Sequence, residues 1–139
     1  MTNAHNDFMD TLTKDSDKGP PREIRARTFA YALRAVKLYQ HLQNRKDGAG
    51  WILGKKYLRA ATSIGANVAE AQAGESRADF VHKLGIAQKE ARESLFWLRL
   101  LAESKIVGDA RLRSLVKETE ELIAVVTAIL VSTKKAPSN

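Results

Sequence analysis

The sequence predicts an all-α fold, an antiparallel up-down four-helix bundle. Three observations predict it. Four segments carry apolar residues at spacings of three and four, no segment alternates as a strand would, and the breaks between segments are short. With 139 residues the chain suits one domain around one core. Its division is a flexible tail over residues 1–21, a bundle over 22–134 and a frayed end over 135–139.

The first helix is expected from Arg22 to about Arg45, just after Pro20 and Pro21, which disfavour helix before them and allow it to begin. One stripe of it holds Ile24, Tyr31, Ala35, Leu38 and Leu42, and a second holds Phe29, Leu33 and Val36. So wide an apolar surface exceeds what one small bundle needs, so part of it is available to a second subunit. "KDGAG", residues 46–50, supplies glycines for a stop. The second helix is expected from Trp51 to about Ala73, with Leu53, Tyr57, Ala61, Ile64, Val68 and Ala71 toward the core. Gly65 in mid-helix costs up to about 1 kcal/mol relative to Ala; close approach by another helix or subunit would offset that. Asn67 is suited to a hydrogen bond across to another helix or a loop. "AGES" stops this helix at Gly74 and starts the third at Ser76, with Asp79 as the acidic partner of a capping box. The third helix runs to about Ser104, with Phe80, Leu84, Ala87, Ala91, Leu95, Leu98 and Ala102 on one face. Asp109 is the expected cap of the fourth, which runs to Thr133 with Leu112, Leu115, Thr119, Leu122, Val126, Ile129 and Leu130 inward.

Charge and composition narrow the function. Residues 1–20 set Asp7, Asp10, Asp15 and Asp17 against Lys14 and Lys18, a net of −2, so the remaining 119 residues carry +9 of an overall +7. That balance suits nucleic acid, an acidic protein or an anionic membrane surface. There is no cysteine, so disulfides and thiolate metal sites are excluded. The start lacks the basic and apolar runs of a secretory signal, and no apolar stretch approaches the roughly 20 residues that span a bilayer; the expectation is a cytoplasmic protein.

The stretch "RAATSIGANVAEA", Arg59 to Ala71, resembles the "RAA-S-I-x-x-N-I-A-E-G" signature of the bacterial four-helix bundle proteins related to those encoded in intervening sequences of 23S ribosomal RNA genes. Its Ser63, Gly65, Asn67 and Glu70 fall in that motif. "DFVHKLGIAQKEARESLFWLRLL" is similar to the family's third-helix pattern. Ala71 stands where the family has Gly, and a glycine comes only at Gly74, so the turn into the third helix is expected a few residues late. The resemblance implies a bundle that assembles into a ring, a pentamer. It also implies a fold similar to the accessory protein of diversity-generating retroelements, which binds nucleic acid and a reverse transcriptase.

The sharpest surface signal is on the first helix, where Arg27, Arg34, Lys37, His41 and Arg45 fall within one sector at about 100° per residue, with no acid among them. Lys55, Lys56 and Arg59 would widen this into a track for a phosphate backbone. The plain alternative is a solvated face. Base-specific reading is not indicated, because aromatic residues are scarce. Phe96, Trp97, Leu100 and Leu101 lie off the third helix's core stripe, and a subunit contact would bury them; the bundle's own fourth helix or a loop is the alternative cover. Catalysis and metal binding find no support: His5, His41 and His82 are scattered, and Asp79 with His82 faces away from the core. Glu90 with Glu93, and Glu118 with Glu120 and Glu121, fit local ion pairs with Lys89, Arg92 and Lys117. No cofactor is expected. The function expected is a non-enzymatic oligomer that binds RNA or DNA, as an accessory in an RNA or reverse-transcriptase complex. The alternative is a scaffold that docks an acidic protein.

Overall fold

The computed structural model describes residues 24–45 and 47–137, and these contain four α-helices and no strand. They are α1 (Ile24–Gln43), α2 (Gly48–Gln72), α3 (Arg77–Glu103) and α4 (Asp109–Lys135). The expected tail over 1–21 and the proposed helix start at Arg22 lie outside the described residues, as do 138 and 139.

Two helix starts differ from expectation for identifiable reasons. Gly48 and Gly50 do not stop a helix but begin one, because the Asp47 carboxylate accepts from the backbone N–H of Ala49 and Gly50 at 3.1 and 3.3 Å. Gly50 is buried there. A Cβ on it would lie 2.9 Å from Ile106 Cγ2, so glycine lets the α3–α4 connection sit against the first turn of α2. At α4 the cap position belongs to Gly108, which offers no side chain, and Asp109 is already helical. Ser76 behaves as expected and accepts from the Asp79 N–H at 3.1 Å.

The core stripes are those of the 3.6-residue period. Ile24, Tyr31, Ala35 and Leu42 of α1 are buried with Tyr57, Ala61, Ile64 and Val68 of α2, with Leu84, Ala87, Ala91 and Leu98 of α3, and with Leu112, Leu122, Val126 and Leu130 of α4. Leu53, Phe80, Ala102 and Ile129 are only partly covered. Two tyrosines carry hydroxyls into the core. Tyr31 and Tyr57 meet edge to face at 6.4 Å, and the Tyr31 hydroxyl lies 2.6 Å from Thr119 Oγ1. Thr119 spends its proton on the Leu115 carbonyl, so Tyr31 is the donor.

Packing is extensive for α1 on α2, α2 on α3 and α3 on α4, and slight for α1 on α4. Partner numbers rise along one helix as they fall along the next. Gly65 meets Thr28 while Gly54 meets Leu42; Arg59 reaches Glu90 while Lys56 reaches Trp97; Gln88 bonds Thr127 while Arg77 reaches Thr133. At Gly65 the close approach expected of a missing side chain is found, since a Cβ would lie 3.3 Å from the Thr28 carbonyl oxygen. The helix that comes close is α1.

Candidate nucleic-acid interface

The cations of α1 share a sector, but that sector faces α4 along its N-terminal half. Arg27 Nε donates to Glu118 at 2.9 Å and its Nη2 to Glu121 at 2.7 Å, and the bond to Glu118 above all holds the guanidinium charged. Arg34 is 9% exposed, and its Nη2 donates to Ser114 Oγ at 2.9 Å. Its Nε has no partner among the described residues. Burial works against its charge, with Glu118 acting the other way. The expectation of a free outward array is therefore corrected for these two residues. The turn-by-turn spacing was right, but the helix beyond it supplies acids and a hydroxyl.

The C-terminal half of the same stripe stays at the surface. Lys37 is exposed. His41 sits half-exposed with Arg111 Nη1 2.7 Å from its Nε2. Arginine only donates, so in this contact the His41 nitrogen is the acceptor. Arg45 is exposed and anchored by a 2.6 Å bond from Nη1 to the Ile106 carbonyl. Among the described residues no carboxylate pairs with Lys37, Arg45 or Arg111. Arg111 was missed from the sequence, although Arg111, Ser114, Glu118 and Glu121 recur at three and four and so mark a polar edge of α4.

The three flanking cations divide. Arg59 is drawn away from any track by Glu90 at 3.3 Å and Glu93 at 2.8 Å, and Glu93 in turn is held below the usual carboxylate range chiefly by that arginine. Lys55 lies over the Trp51 ring at 4.6 Å and Lys56 over Trp97 at 5.5 Å. The acidic clusters thus pair across helices, Glu90 and Glu93 with α2 and Glu118 and Glu121 with α1, rather than with the lysines beside them.

Of the four residues read as subunit contact, Leu101 is fully buried in the bundle's own core. Its position, two turns beyond Ser94 on the face next to Leu98, puts it inward. Trp97 packs partly on that core and donates to Glu93 at 3.2 Å. Phe96 and Leu100 remain 58% and 39% exposed, and Phe96 meets Trp97 edge to face at 4.9 Å. In the α2 motif, Asn67 donates to the Ser63 carbonyl at 2.8 Å, one turn back on its own helix and not across the bundle. Ser63 donates likewise to the Arg59 carbonyl at 2.7 Å, and Glu70 is exposed. Among the described residues no group of His, Asp and Glu is placed to hold a metal ion, and no helix is long and apolar enough to cross a membrane.

Four helices, a polar α1–α4 seam and the Arg59–Ala71 motif define a class of small basic bundle protein. The sequence model of the 23S rRNA-intervening sequence protein family matches residues 22–128, and the chain belongs to that family. Among solved structures it is similar to a protein of unknown function from the S23 ribosomal protein family of Bacteroides thetaiotaomicron VPI-5482. The two are 35% identical over 77% of this chain and 97% of that one, with a TM-score of 0.72. Comparison with curated proteins finds no match.

Proposed function

We propose that this protein is a non-enzymatic, oligomeric, antiparallel bundle that holds RNA or DNA by the phosphate backbone at the open end of the α1–α4 seam. The accessory role in an RNA or reverse-transcriptase complex that the resemblance implies is part of this reading. One observation carries it: Lys37 of α1, Arg45 just past its end and Arg111 of α4 gather where no carboxylate among the described residues pairs with them. Like charges held side by side repel, and a polyanion that bridges them relieves the repulsion and releases its counterions. The reversed contact pairs support the antiparallel order. Phe96, Trp97 and Leu100, with Ile52 exposed one turn before Lys56, support contact with a second copy in a ring.

Fluorescence anisotropy with single-stranded RNA, single-stranded DNA and duplex, each titrated against salt, tests this. Affinity is expected to fall steeply as salt rises. The triple variant Lys37→Gln, Arg45→Gln, Arg111→Gln should bind at least about tenfold more weakly and lose about two to three units of salt slope. No binding at low salt, or a triple variant that binds as the parent does, overturns it; the protein then fits the acidic-partner scaffold. For assembly, light scattering that shows a monodisperse monomer removes the role of Phe96 and Leu100.

A further inference from the structure

The chain has two tryptophans, and the bundle treats them differently. Trp97 packs partly on the core and donates to Glu93. Trp51, in the first turn of α2, is not packed against the core cluster and stays 42% exposed. Helix periodicity explains the difference. Tyr57, Ala61, Ile64 and Val68 define the inward face of α2, and Trp51 lies roughly 110° from it, on an outer flank that Lys55 shares one turn on.

The surroundings of this indole are cationic. Lys55 Nζ lies over one face of the ring, 4.6 Å from its centroid, and pairs with no carboxylate among the described residues. Next to Trp51, Gly50 packs so closely on Ile106 that a Cβ would lie 2.9 Å from Ile106 Cγ2, and the Ile106 carbonyl accepts from Arg45 Nη1. Ile106 thus fixes the Arg45 guanidinium against the turn that carries Trp51. From Lys37 to Lys56 the sequence sets one acid, Asp47, against five lysines and arginines. That carboxylate is already engaged by the backbone N–H groups of Ala49 and Gly50.

We propose that Trp51 is a stacking surface for an unpaired base, which makes single-stranded RNA or DNA the ligand of this cationic end. The inference rests on the phosphate-backbone reading above and names the class of strand. A strand whose phosphates follow Lys37, Arg111 and Arg45 brings a base to the indole. Lys55 covers one face of the ring, and the exposed remainder is the surface on which the base stacks. Every base has a π-face, so the stack adds affinity without sequence preference. In a duplex the bases are paired and stacked on one another, out of the indole's reach, and the cations act alone.

Anisotropy titrations of Trp51→Leu against unstructured oligothymidylate and against duplex of equal length test this. Oligothymidylate affinity should fall at least about fivefold, with the salt slope unchanged because no cation is lost. Duplex affinity should hold, which also shows the variant to be folded, and Trp51→Phe should lose less. Saturating oligothymidylate should quench the tryptophan emission of the parent but not of Trp51→Leu, in which Trp97 alone emits. A Trp51→Leu protein that binds oligothymidylate as the parent does, loses both ligands in equal proportion or still shows the quench overturns this inference and leaves the backbone reading standing. A lower light-scattering mass for Trp51→Leu assigns the indole to a subunit contact and overturns it as well. A parent that binds neither ligand at low salt ends the backbone reading, and this inference with it.

Discussion

Tyr31 and Tyr57 are chemically the same side chain, a ring's width apart in the core, and they contribute in opposite senses. The Tyr31 hydroxyl donates to Thr119, while that of Tyr57 is buried without a partner among the described residues. Removing a satisfied hydroxyl costs about 1 kcal/mol, whereas removing an orphaned one costs nothing or stabilises. Tyr31→Phe should therefore lower the urea midpoint and Tyr57→Phe should hold or raise it. Burial pushes the pKa of Tyr31 up to about 12 and that of Tyr57 well above 10. A raised folded-state pKa gives stability that is complete below the unfolded value near 10 and is lost as pH climbs through the folded value. Stability read from urea unfolding should hold to about pH 10 and fall between pH 10 and 12, by on the order of 2–3 kcal/mol for Tyr31. The fall should be shallower in either Phe variant. None of this was legible beforehand: periodicity places both tyrosines inward, but which hydroxyl finds Thr119 depends on a helix 88 residues away.

At the scale of the element, end chemistry separates two aspartates. Asp47 caps α2 with two backbone N–H groups, so Asp47→Ala should lower stability by about 1 kcal/mol. Asp109 stands inside the first turn of α4 and acts only on the helix dipole, so Asp109→Ala should cost a few tenths. Thermal unfolding of the two variants checks the contrast. The reading of Gly48 and Gly50 as a stop followed from their propensity alone. Their role becomes visible only once Ile106 is seen against Gly50. The stripes of α2 and α4, by contrast, were legible nearly residue for residue, because apolar spacing is a property of one helix; in α3 the reading missed buried Ser94 and Leu101 and placed Leu95 in the core cluster, where it is not found. Asn67 shows the limit from the other side. Its polar character at a core edge suggested a partner across the bundle, and the carbonyl one turn back proved nearer.

For the whole molecule, a helical wheel gives a direction but not what lies in that direction. Arg27, Arg34, Lys37 and His41 share one sector of α1, while Arg45 lies past its last residue, Gln43; that α4 would answer the first two with Glu118, Glu121 and Ser114 required the order of helices around the core. Arg27 is accordingly a structural residue. Arg27→Gln leaves two carboxylates half-answered and should destabilise by about 1–3 kcal/mol. Arg99→Gln, which loses only a 4.0 Å exposed pair with Glu103, should stay within about 0.5 kcal/mol. Chemical denaturation of both variants distinguishes them. The slight packing of α1 on α4 has a further consequence. Three of the four helix boundaries carry extensive packing, and the fourth is held by ion pairs and hydroxyls with little packing behind them, so the bundle is built like a book with its clasp on that edge. Undoing the clasp disturbs the least packed boundary, which makes a swing of α1 away from α4 the expected first partial opening.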